Sequence, residues 1–445
     1  MKFKRLLTAA LACVLGFGSI VGFTACSNDN DKLEAAADLT VTFWHPITGP
    51  DAEYMQKLIK NFNTEHEGKI FVKDSANAED THYTNISNSF NDNSSPDLAL
   101  IHKSRVAYYE HNDKLRDMTA LTQDLKLDSS LYVGDSWTAC EFDGKMYAVP
   151  FDVLPTLLFY NRKLFPKDKA EAWEAEIRSE DFTIARMCEM MQEVYKHSSR
   201  AAQKTYGMAF NYSSTDSMFI SFLNQQGENV LDESDPKTAT YNSAAGVAAA
   251  ETVKSIPDTK KDGNKVCSDS GSDHLNTYKQ GRALFTIDGI WSAPGACDST
   301  NSKVDTGVVR LPKMNAEATR NVSGDGHCFA MFNSAKNSMD DERKAAVAEF
   351  VQYLIDNSDY WCKGGKIAAR SDIADKEEYK ALEWGHISNE LQYVISPVKV
   401  YTYNTIIDPI GKYVSDYVES KNSKTVQQAL NDAVKDSNSK AAELN

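Results

Sequence analysis

The chain has 445 residues and a formal net charge of −15, with 63 acidic against 48 basic side chains. So acidic a surface would repel phosphate groups, which argues against nucleic acid or anionic lipid as a partner. The length is too great for one small core and predicts two lobes or one large α/β unit.

The first 26 residues have the pattern of an export signal. A basic start precedes an uncharged stretch from Leu6 to Ala25, which ends in small residues before Cys26. This is typical of a lipoprotein signal peptide at 1–25, with Cys26 as the acylated mature N-terminus. The alternative is an uncleaved membrane anchor, because the stretch is nearly long enough to span a bilayer. Both interpretations place the rest of the chain outside the cytoplasm, and the first anchors it to the outer face of the cell membrane.

After the signal, a polar segment leads into alternating strands and helices. Residues 26–38 are rich in Ser, Asn and Asp and predict a flexible tether. Runs of β-forming residues predict strands, with apolar residues at helical spacing over 55–62 between the first two. The predicted strands are Leu39–Trp44, Ile70–Val72 and Pro96–Ile101. This alternation predicts an α/β sheet that binds ligands where loops leave the carboxyl ends of its strands.

The second half of the chain predicts more helix than strand. Apolar residues recur at helical spacing in 170–256, 343–355 and 425–434, whereas 306–312 has the pattern of a short strand. The polar stretch 258–273 predicts a surface loop.

Six cysteines remain beyond the signal and Cys26, and they admit two interpretations. Outside the cytoplasm an even number permits disulfides, but the spacings are wide and irregular. We interpret them as buried thiols or as one optional disulfide, with Cys267 and Cys297 as the first pair to test. The six are Cys140, Cys188, Cys267, Cys297, Cys328 and Cys362.

Known catalytic motifs are missing from the sequence. It contains no G-x-S-x-G, no H-E-x-x-H and no phosphate-binding loop, and its nine His form no metal-binding pattern. We therefore expect a binding protein rather than an enzyme, with no cofactor and no metal.

Four stretches together carry a family resemblance. They are VTFWHPITG at 41–49, DGKMYAVPFDVLPTLLFYNRKLF at 143–165, YKQGRALFTIDGIW at 278–291 and GVVRLP at 307–312. The most specific part is D-G-K-x-Y-x-x-P followed by Y-N-R-K-L-F. In order and spacing they resemble the extracellular solute-binding proteins of carbohydrate ABC importers, which include maltose-binding and glycerol-3-phosphate-binding proteins.

The resemblance implies a periplasmic-binding-protein-like α/β fold, in which two lobes joined by a hinge of three crossing segments close over a ligand. It implies an N-terminal lobe of residues 39–150 and 308–340 and a C-terminal lobe of residues 151–307 and 341–445. The expected crossings are Pro150–Asp152, Gly307–Lys313 and Asn333–Asp340.

The resemblance also implies ligand-binding residues in the second lobe and at the hinge. Trp291 is similar in place to a family tryptophan that stacks on a sugar ring, although a core Trp is the alternative. Asp152 lies at the first expected crossing, where a carboxylate can accept sugar hydroxyls. Tyr212 and Asp216 lie where the ligand loop of the second lobe is expected.

Further candidates follow the first predicted strand. Trp44 and His45 end this strand, while Thr48 and Gly49 open the next helix, whose free N–H groups favour a ligand oxygen. A strand-end aromatic such as Trp44 can instead pack under the sheet.

The loop after the third predicted strand and the C-terminal third supply the remaining candidates. His102, Lys103 and Ser104 follow the third strand, either as hydrogen-bonding residues of the ligand site or as a solvated turn. Arg370 and Tyr403 are candidates from the C-terminal third.

We expect a lipid-anchored, monomeric receptor that captures a neutral mono- or oligosaccharide by hinge closure and delivers it to the membrane permease of an ABC importer. The alternative ligand is sn-glycerol 3-phosphate or a related phosphodiester. Apolar residues at 153–155 replace polar positions of the glycerol-3-phosphate-binding protein and argue against this alternative. Two other classes stay open: an extracellular glycan-active enzyme, which needs two carboxylates across a cleft, and a surface adhesion protein.

Overall fold

The computed structural model of the protein describes residues 27–200, 203–232, 234–268, 273–298, 300 and 303–444. The predicted signal peptide and Cys26 lie outside these residues. The described chain forms two α/β lobes, each built around its own sheet. Within these ranges no helix combines the length and the apolar character needed to cross a membrane.

The strands are β1 (Leu39–His45), β2 (Ile70–Ala76), β3 (Leu98–His102), β4 (Glu141–Phe142), β5 (Lys145–Met146), β6 (Ala148–Pro150), β7 (Asp152–Asn161), β8 (Tyr206–Ala209), β9 (Lys260–Lys261), β10 (Asn264–Lys265), β11 (Cys267–Ser268), β12 (Ala283–Gly289), β13 (Thr306–Arg310), β14 (Val322–Asp325), β15 (His327–Ala330), β16 (Ile367–Ala368) and β17 (Val394–Ile395).

The helices are α1 (Ser27–Ala36), α2 (Ala52–Glu65), α3 (Glu79–Ser89), α4 (Val106–His111), α5 (Thr119–Asp124), α6 (Ala170–Arg178), α7 (Ile184–Val194), α8 (Thr215–Asn224), α9 (Ala244–Asp258), α10 (His274–Lys279), α11 (Ala293–Cys297), α12 (Asp341–Asp356), α13 (Ser358–Cys362), α14 (Ser371–Ala374), α15 (Glu377–Lys380), α16 (Tyr403–Val418) and α17 (Val426–Ala442). Short 3₁₀ turns at Lys103–Arg105, Tyr212–Ser214 and Ile290–Ser292 follow three of the strands.

The N-terminal lobe surrounds a sheet of order β2-β1-β3-β15-β6. Strand β1 pairs in parallel with β2 and β3, and β15 runs antiparallel to β3 and β6. Phe43 of β1 is fully buried, and its ring centroid lies 5.3 Å from that of Phe350 in α12. Apolar side chains alternate along β1 because one face of the strand packs on helices.

The C-terminal lobe is organised by β7, whose ten residues are all buried. The sheet order is β11-β8-β12-β7-β14-β17, and β13 and β16 also pair with β7. Strand β7 runs antiparallel to β12, β13, β14 and β16, whereas β8 and β12 are parallel. An uninterrupted apolar run such as VLPTLLFY fits a strand covered on both faces.

Several predicted elements are confirmed. The three N-terminal strands form with parallel pairing around β1, and the helix predicted over 55–62 lies within α2, with Met55 and Phe62 buried. The strand at 306–312 corresponds to β13, and the helices at 343–355 and 425–434 correspond to α12 and α17.

The predicted tether is not extended along its length. Residues 27–36 form helix α1, and Glu34 of this helix forms an ion pair with Lys73 at 2.8 Å. The composition was typical of a tether, but Leu33, Ala35 and Ala36 at the end of the segment favour a helix over coil.

The expected lobe boundaries are wrong in two places. Strands β13 and β14 pair with β7, so 308–325 belongs to the C-terminal lobe. Helix α12 packs on β1 and α2, so 341–356 belongs to the N-terminal lobe. The apolar face of α12 was recognisable from sequence, but the sheet that it covers was not.

Two of the three expected crossings are wrong because each of these two segments lies within a single lobe. The chain crosses between the sheets at Pro150–Asp152, as expected, and returns between β14 and β15, at Asp325–His327. A third connection is β16, which follows α13 and pairs with the start of β7. Gly307–Lys313 lies inside the C-terminal lobe, and 333–340 continues along the N-terminal lobe, where Ala335 bridges to Ser95.

In the described part of the chain, no disulfide joins any of these six cysteines. Cys267 and Cys297, the pair proposed for a test, therefore do not form a disulfide in this structure. Cys140, Cys267, Cys328 and Cys362 are buried, which fits the interpretation as core thiols.

Candidate functional site

The C-terminal lobe presents the ends of β12 and β14 at the edge where β7 begins. Gly289 of β12 pairs with Thr156 of β7, and Gly324 of β14 pairs with the adjacent Pro155 on the other side. Since neighbouring strands lie about 4.8 Å apart, the two strand ends are about 10 Å apart. The loops after β12 and β14 therefore flank one point of the hinge.

Trp291 lies in the 3₁₀ turn that follows β12. Its side chain is 40% exposed, and a Cβ at Gly289 would lie 2.0 Å from its ring. The ring is therefore folded back over Gly289, which leaves an aromatic surface open to solvent. The D-G-x-W pattern of the sequence has a physical basis here, because only glycine leaves room for the ring.

Asp288 holds the turn that carries Trp291, although it was not among the site residues predicted from the sequence. Its carboxylate accepts hydrogen bonds from Gly289 N at 2.8 Å and Ser292 Oγ at 2.7 Å. The group is buried, and His274 Nε2 lies 2.8 Å from Oδ2, the same oxygen that accepts from Ser292. A buried Asp directly before the Gly of D-G-x-W is the sequence signal that could have identified it.

The N-terminal lobe contributes the turn after β3, which meets the second crossing. Ser104 N donates to Asp325 Oδ1 at 3.2 Å, and Lys103 N donates to Gly326 O at 2.8 Å. Lys103 is only 4% exposed, yet among the described residues none accepts a hydrogen bond from its ammonium. Lys103 was considered from the sequence, whereas Asp325 was missed; the glycines on both sides of it in S-G-D-G-H were its signal.

A bridging segment, residues 396–404, extends from the C-terminal lobe to the N-terminal lobe. Its contacts with that lobe include Asn404 Nδ2 with Ser104 O at 2.7 Å, Ser396 Oγ with Asp135 Oδ1 at 2.6 Å, and the stacked rings of Tyr401 and His111 with centroids 3.8 Å apart. The two lobes are therefore in contact along this side of the cleft.

Three small cavities, each of about 10 Å³, lie beside the bridging segment and all touch Ser396. Lys103 lines two of them and Tyr403 lines the third. Sites for small ligands usually measure about 300–1,000 Å³, so a sugar cannot enter here unless the lobes move apart. A separate cavity of about 610 Å³ lies on the N-terminal lobe between α5 and α12, away from every predicted site residue.

Contrary to the expectation from the sequence, Asp152 does not face the cleft. It is fully buried, and its carboxylate accepts hydrogen bonds from His327 N at 2.7 Å and Trp361 Nε1 at 2.8 Å, with His327 Nδ1 at 2.9 Å. Burial alone would raise the pKa of Asp152, but His327 and nearby Lys366 hold this pKa well below the usual range. Both oxygens already have protein partners, so the structure assigns Asp152 to the hinge.

The candidates after β1 divide into buried and exposed residues. His45 is 1% exposed, with Nδ1 accepting from Ile47 N and Nε2 3.5 Å from Asp74, so it does not face the cleft. Trp44 is half-buried against the apolar cluster around Tyr83, which matches the alternative of packing under the sheet. Thr48 and Gly49 are exposed before α2.

His102 is held by neighbours in its own lobe. Its Nδ1 lies 2.6 Å from Tyr83 Oη, and its ring centroid lies 4.8 Å from that of His327. Burial, together with the nearby His327, lowers the pKa of His102. The lowered pKa favours the neutral imidazole beside the second crossing, and the carboxylate of Glu79 at 3.8 Å opposes this effect.

Tyr403, Asp216 and Asp325 come together between the lobes. Burial first, and then the carboxylates of Asp325 and Asp216, raise the pKa of Tyr403. Burial also raises the pKa of Asp216, and Glu79 of the opposite lobe adds to this effect. Tyr212 lies in the turn that leads into α8, with its ring edge-on to Phe210. This side of the cleft is acidic.

Contrary to the expectation from the sequence, Arg370 is not available to bind a ligand. Its guanidinium donates to both carboxylate oxygens of Asp372, at 2.8 and 2.7 Å, and its backbone bridges to Tyr132. Within the described ranges, no three His, Cys, Asp or Glu side chains come close enough to hold a metal ion.

Comparison with known proteins decides the family. The profile of the bacterial extracellular solute-binding protein family matches residues 57–383. The chain belongs to this family. The resemblance noted in the sequence is confirmed, and so is the expectation of a binding protein rather than an enzyme. Membership of an extracellular family also agrees with the expected extracytoplasmic location.

Individual relatives are distant but match over most of their length. The diacetylchitobiose binding protein DasA of Streptomyces coelicolor is 23% identical over 403 residues, 87% of this chain and 86% of the relative. The GacH receptor of Streptomyces glaucescens superimposes with a TM-score of 0.72 at 18% identity, over 91% of this chain and 99% of that chain. Maltose-bound MalE3 of T. maritima gives 0.72 at 18% identity, over 91% and 100%. The two-lobed fold expected from the sequence is thereby confirmed.

The hinge position of Asp152 predicts a structural role. Asp152→Ala leaves the donors of His327 and Trp361 buried without an acceptor, and we expect it to lower the free energy of unfolding by about 3–5 kcal/mol. Asp372→Ala, which removes a half-exposed partner of Arg370, is the control and should cost about 1 kcal/mol or less. Denaturant titration measures both; a loss for Asp152→Ala no larger than the control would contradict the hinge role.

The same carboxylate predicts a dependence on pH. Since the folded pKa of Asp152 lies below the unfolded value of about 3.9, its ionised form stabilises the fold above about pH 4. This contribution is lost as the pH falls through the folded pKa. The stability difference between wild type and Asp152→Asn should therefore narrow in acid, as melting curves at several pH values can show.

Proposed function

We propose that this protein is the extracytoplasmic substrate-binding component of a carbohydrate ABC importer. It captures a neutral mono- or oligosaccharide by hinge closure and delivers it to the membrane permease. The observation that carries the proposal is the exposed ring of Trp291, held over Gly289 at the edge of a cleft between two lobes. An aromatic surface of this kind matches the C–H face of a sugar, and the hydroxyls need polar neighbours such as Tyr403 and Ser104.

The relatives support a carbohydrate ligand. DasA is a diacetylchitobiose binding protein, GacH was solved with acarbose, and MalE3 with maltose. These ligands differ in detail, so they support the class of ligand and not one sugar.

Charge favours a neutral ligand over glycerol phosphate or a phosphodiester. Asp216 and Asp325 approach Tyr403 in the cleft, and the guanidinium of Arg370 is occupied by Asp372. A phosphate group needs several cations or free helix N-termini at one point. Lys103 alone cannot balance these carboxylates.

Hinge motion is supported by the space between the lobes. The cavities beside the bridging segment are about 10 Å³ each, so a ligand can enter only after opening. Ligand contacts on both lobes would then favour the closed form, which is the form that docks on the permease. We further propose that the protein acts as a monomer and is held at the outer face of the membrane through lipidated Cys26, with no other membrane contact.

A ligand screen with scattering tests the proposal. We expect maltotriose, maltose or N,N′-diacetylchitobiose to raise the melting temperature, with about 2.7 kcal/mol of added stability at 100 times Kd. sn-Glycerol 3-phosphate, the probe for the alternative, should not. The sugar that binds should also lower the radius of gyration measured by small-angle scattering. An unchanged scattering profile at saturating sugar would contradict hinge closure. Stabilisation by glycerol phosphate alone would favour the alternative ligand.

Trp291 should separate binding from stability. Trp291→Ala removes the stacking surface and should weaken sugar binding by about 1–3 kcal/mol, while the empty protein melts almost normally because the ring is exposed. The matched control is Trp173→Ala, a 2% exposed core Trp, which should cost about 3–5 kcal/mol of stability. Calorimetric titration and melting curves measure both; early melting with normal affinity in Trp291→Ala would assign it to the core.

Cys26 should determine attachment to the membrane. Cys26→Ala removes the acylated residue, so the protein should remain unprocessed or appear in the soluble fraction. Membrane fractionation measures attachment, and the intact mass of the protein shows whether it has been processed. Ser27→Ala serves as the control. A Cys26→Ala protein that is still processed and membrane-bound would show that the lipoprotein interpretation is wrong.

A further inference from the structure

We infer that Lys103 is a ligand-binding residue of the N-terminal lobe, whose ammonium donates hydrogen bonds to oxygen atoms of an uncharged sugar. This inference rests on the proposed function and adds to it the residue that meets the ligand from the lobe opposite Trp291. Four observations carry it: the burial of Lys103, the absence of a partner, the path of its side chain and the charges around it.

The first two observations concern the ammonium group. Lys103 is 4% exposed, and its Nζ has no acceptor within hydrogen-bond distance among the residues described. An ammonium removed from water without an acceptor costs several kcal/mol, so such a group is rarely retained for stability. Lys366, the other Lys with a nearly fully buried side chain in the hinge region, instead donates to Asp51 at 2.7 Å. The contrast indicates that the partner of Lys103 comes from outside the chain.

The path of the side chain shows that the ammonium is placed by the fold. A Cβ at Gly326 would lie 2.7 Å from Lys103 Cε and 2.1 Å from Asp152 O. The aliphatic part of the Lys103 side chain therefore packs on Gly326 of the second crossing, close to the backbone of Asp152 in the first crossing. Both small cavities that Lys103 lines also touch Ser396 of the bridging segment. The ammonium is thus delivered to the interface that opens and closes with the hinge.

The surrounding charges select the class of ligand. Asp325 precedes Gly326, and Asp135 lines one of the cavities together with Lys103. A carboxylate or phosphate on the ligand would gain one cation and face two nearby anions. Hydroxyl, ring or carbonyl oxygens accept from Lys103 without this repulsion, and sugar hydroxyls can donate to the carboxylates.

The test compares Lys103→Met with Lys57→Met, an exposed Lys on α2. Methionine keeps the length of the stem and removes the charge. Melting curves of the ligand-free proteins come first: we expect Lys103→Met to melt at or above the wild-type temperature, because no protein contact is lost. Titration with maltotriose, maltose and N,N′-diacetylchitobiose follows, and the affinity for any sugar that binds wild type should fall at least tenfold in Lys103→Met and stay unchanged in Lys57→Met.

Each other outcome has a defined meaning. A melting temperature several degrees below wild type in ligand-free Lys103→Met assigns Lys103 to the structure and overturns the inference. Unchanged sugar affinity overturns it as well. If sn-glycerol 3-phosphate stabilises wild type and not Lys103→Met, the class of ligand is wrong. If none of the probes binds wild type, the proposed function fails for these sugars, while the melting comparison still decides whether Lys103 serves the fold.

Discussion

One buried carboxylate holds the connections between the lobes together. Asp152 belongs to the first connection, His327 to the second, and Trp361 to the helix that leads into the third. Lys366 continues the network, since its ammonium lies over the Trp361 ring and binds Asp51 at the start of α2. A buried network with these contacts fixes three backbone segments to one another. The positions of both lobes, and of every residue at the cleft, depend on it.

The cleft is built from parts that the network leaves free. The turns that carry Trp291 and Lys103 follow strand ends, and the bridging segment reaches the other lobe through a few exposed or half-exposed contacts. Bonds of this type are replaced by water at little cost when the lobes separate. Rigid crossings with replaceable contacts at the mouth fit the proposed opening and closure around a ligand.

The sequence predicted local structure better than long-range pairing. Periodicity located α2, α12 and the N-terminal strands because each has an apolar face that a short window can detect. It could not show that α12 covers β1 or that β13 pairs with β7, since those contacts join distant parts of the chain. In the site, the motif around Trp291 was informative because Gly289 has a steric reason to be glycine. Asp152 and His45 were misjudged because polarity alone does not distinguish a cleft residue from a buried one with protein partners.

The order of the strands has a consequence for how the protein reaches its folded state. Strand β15, residues 327–330, lies between β3 and β6 in the N-terminal sheet. During synthesis or passage through the membrane, the sheet of the N-terminal lobe cannot be completed before β15 is available. Until then, β3 and β6 present unpaired edges. Contacts of such long sequence separation form slowly, and exposed edges invite aggregation. Until β15 is in place the chain is therefore prone to aggregation, and the repulsion between its strongly acidic molecules would keep unfinished copies apart.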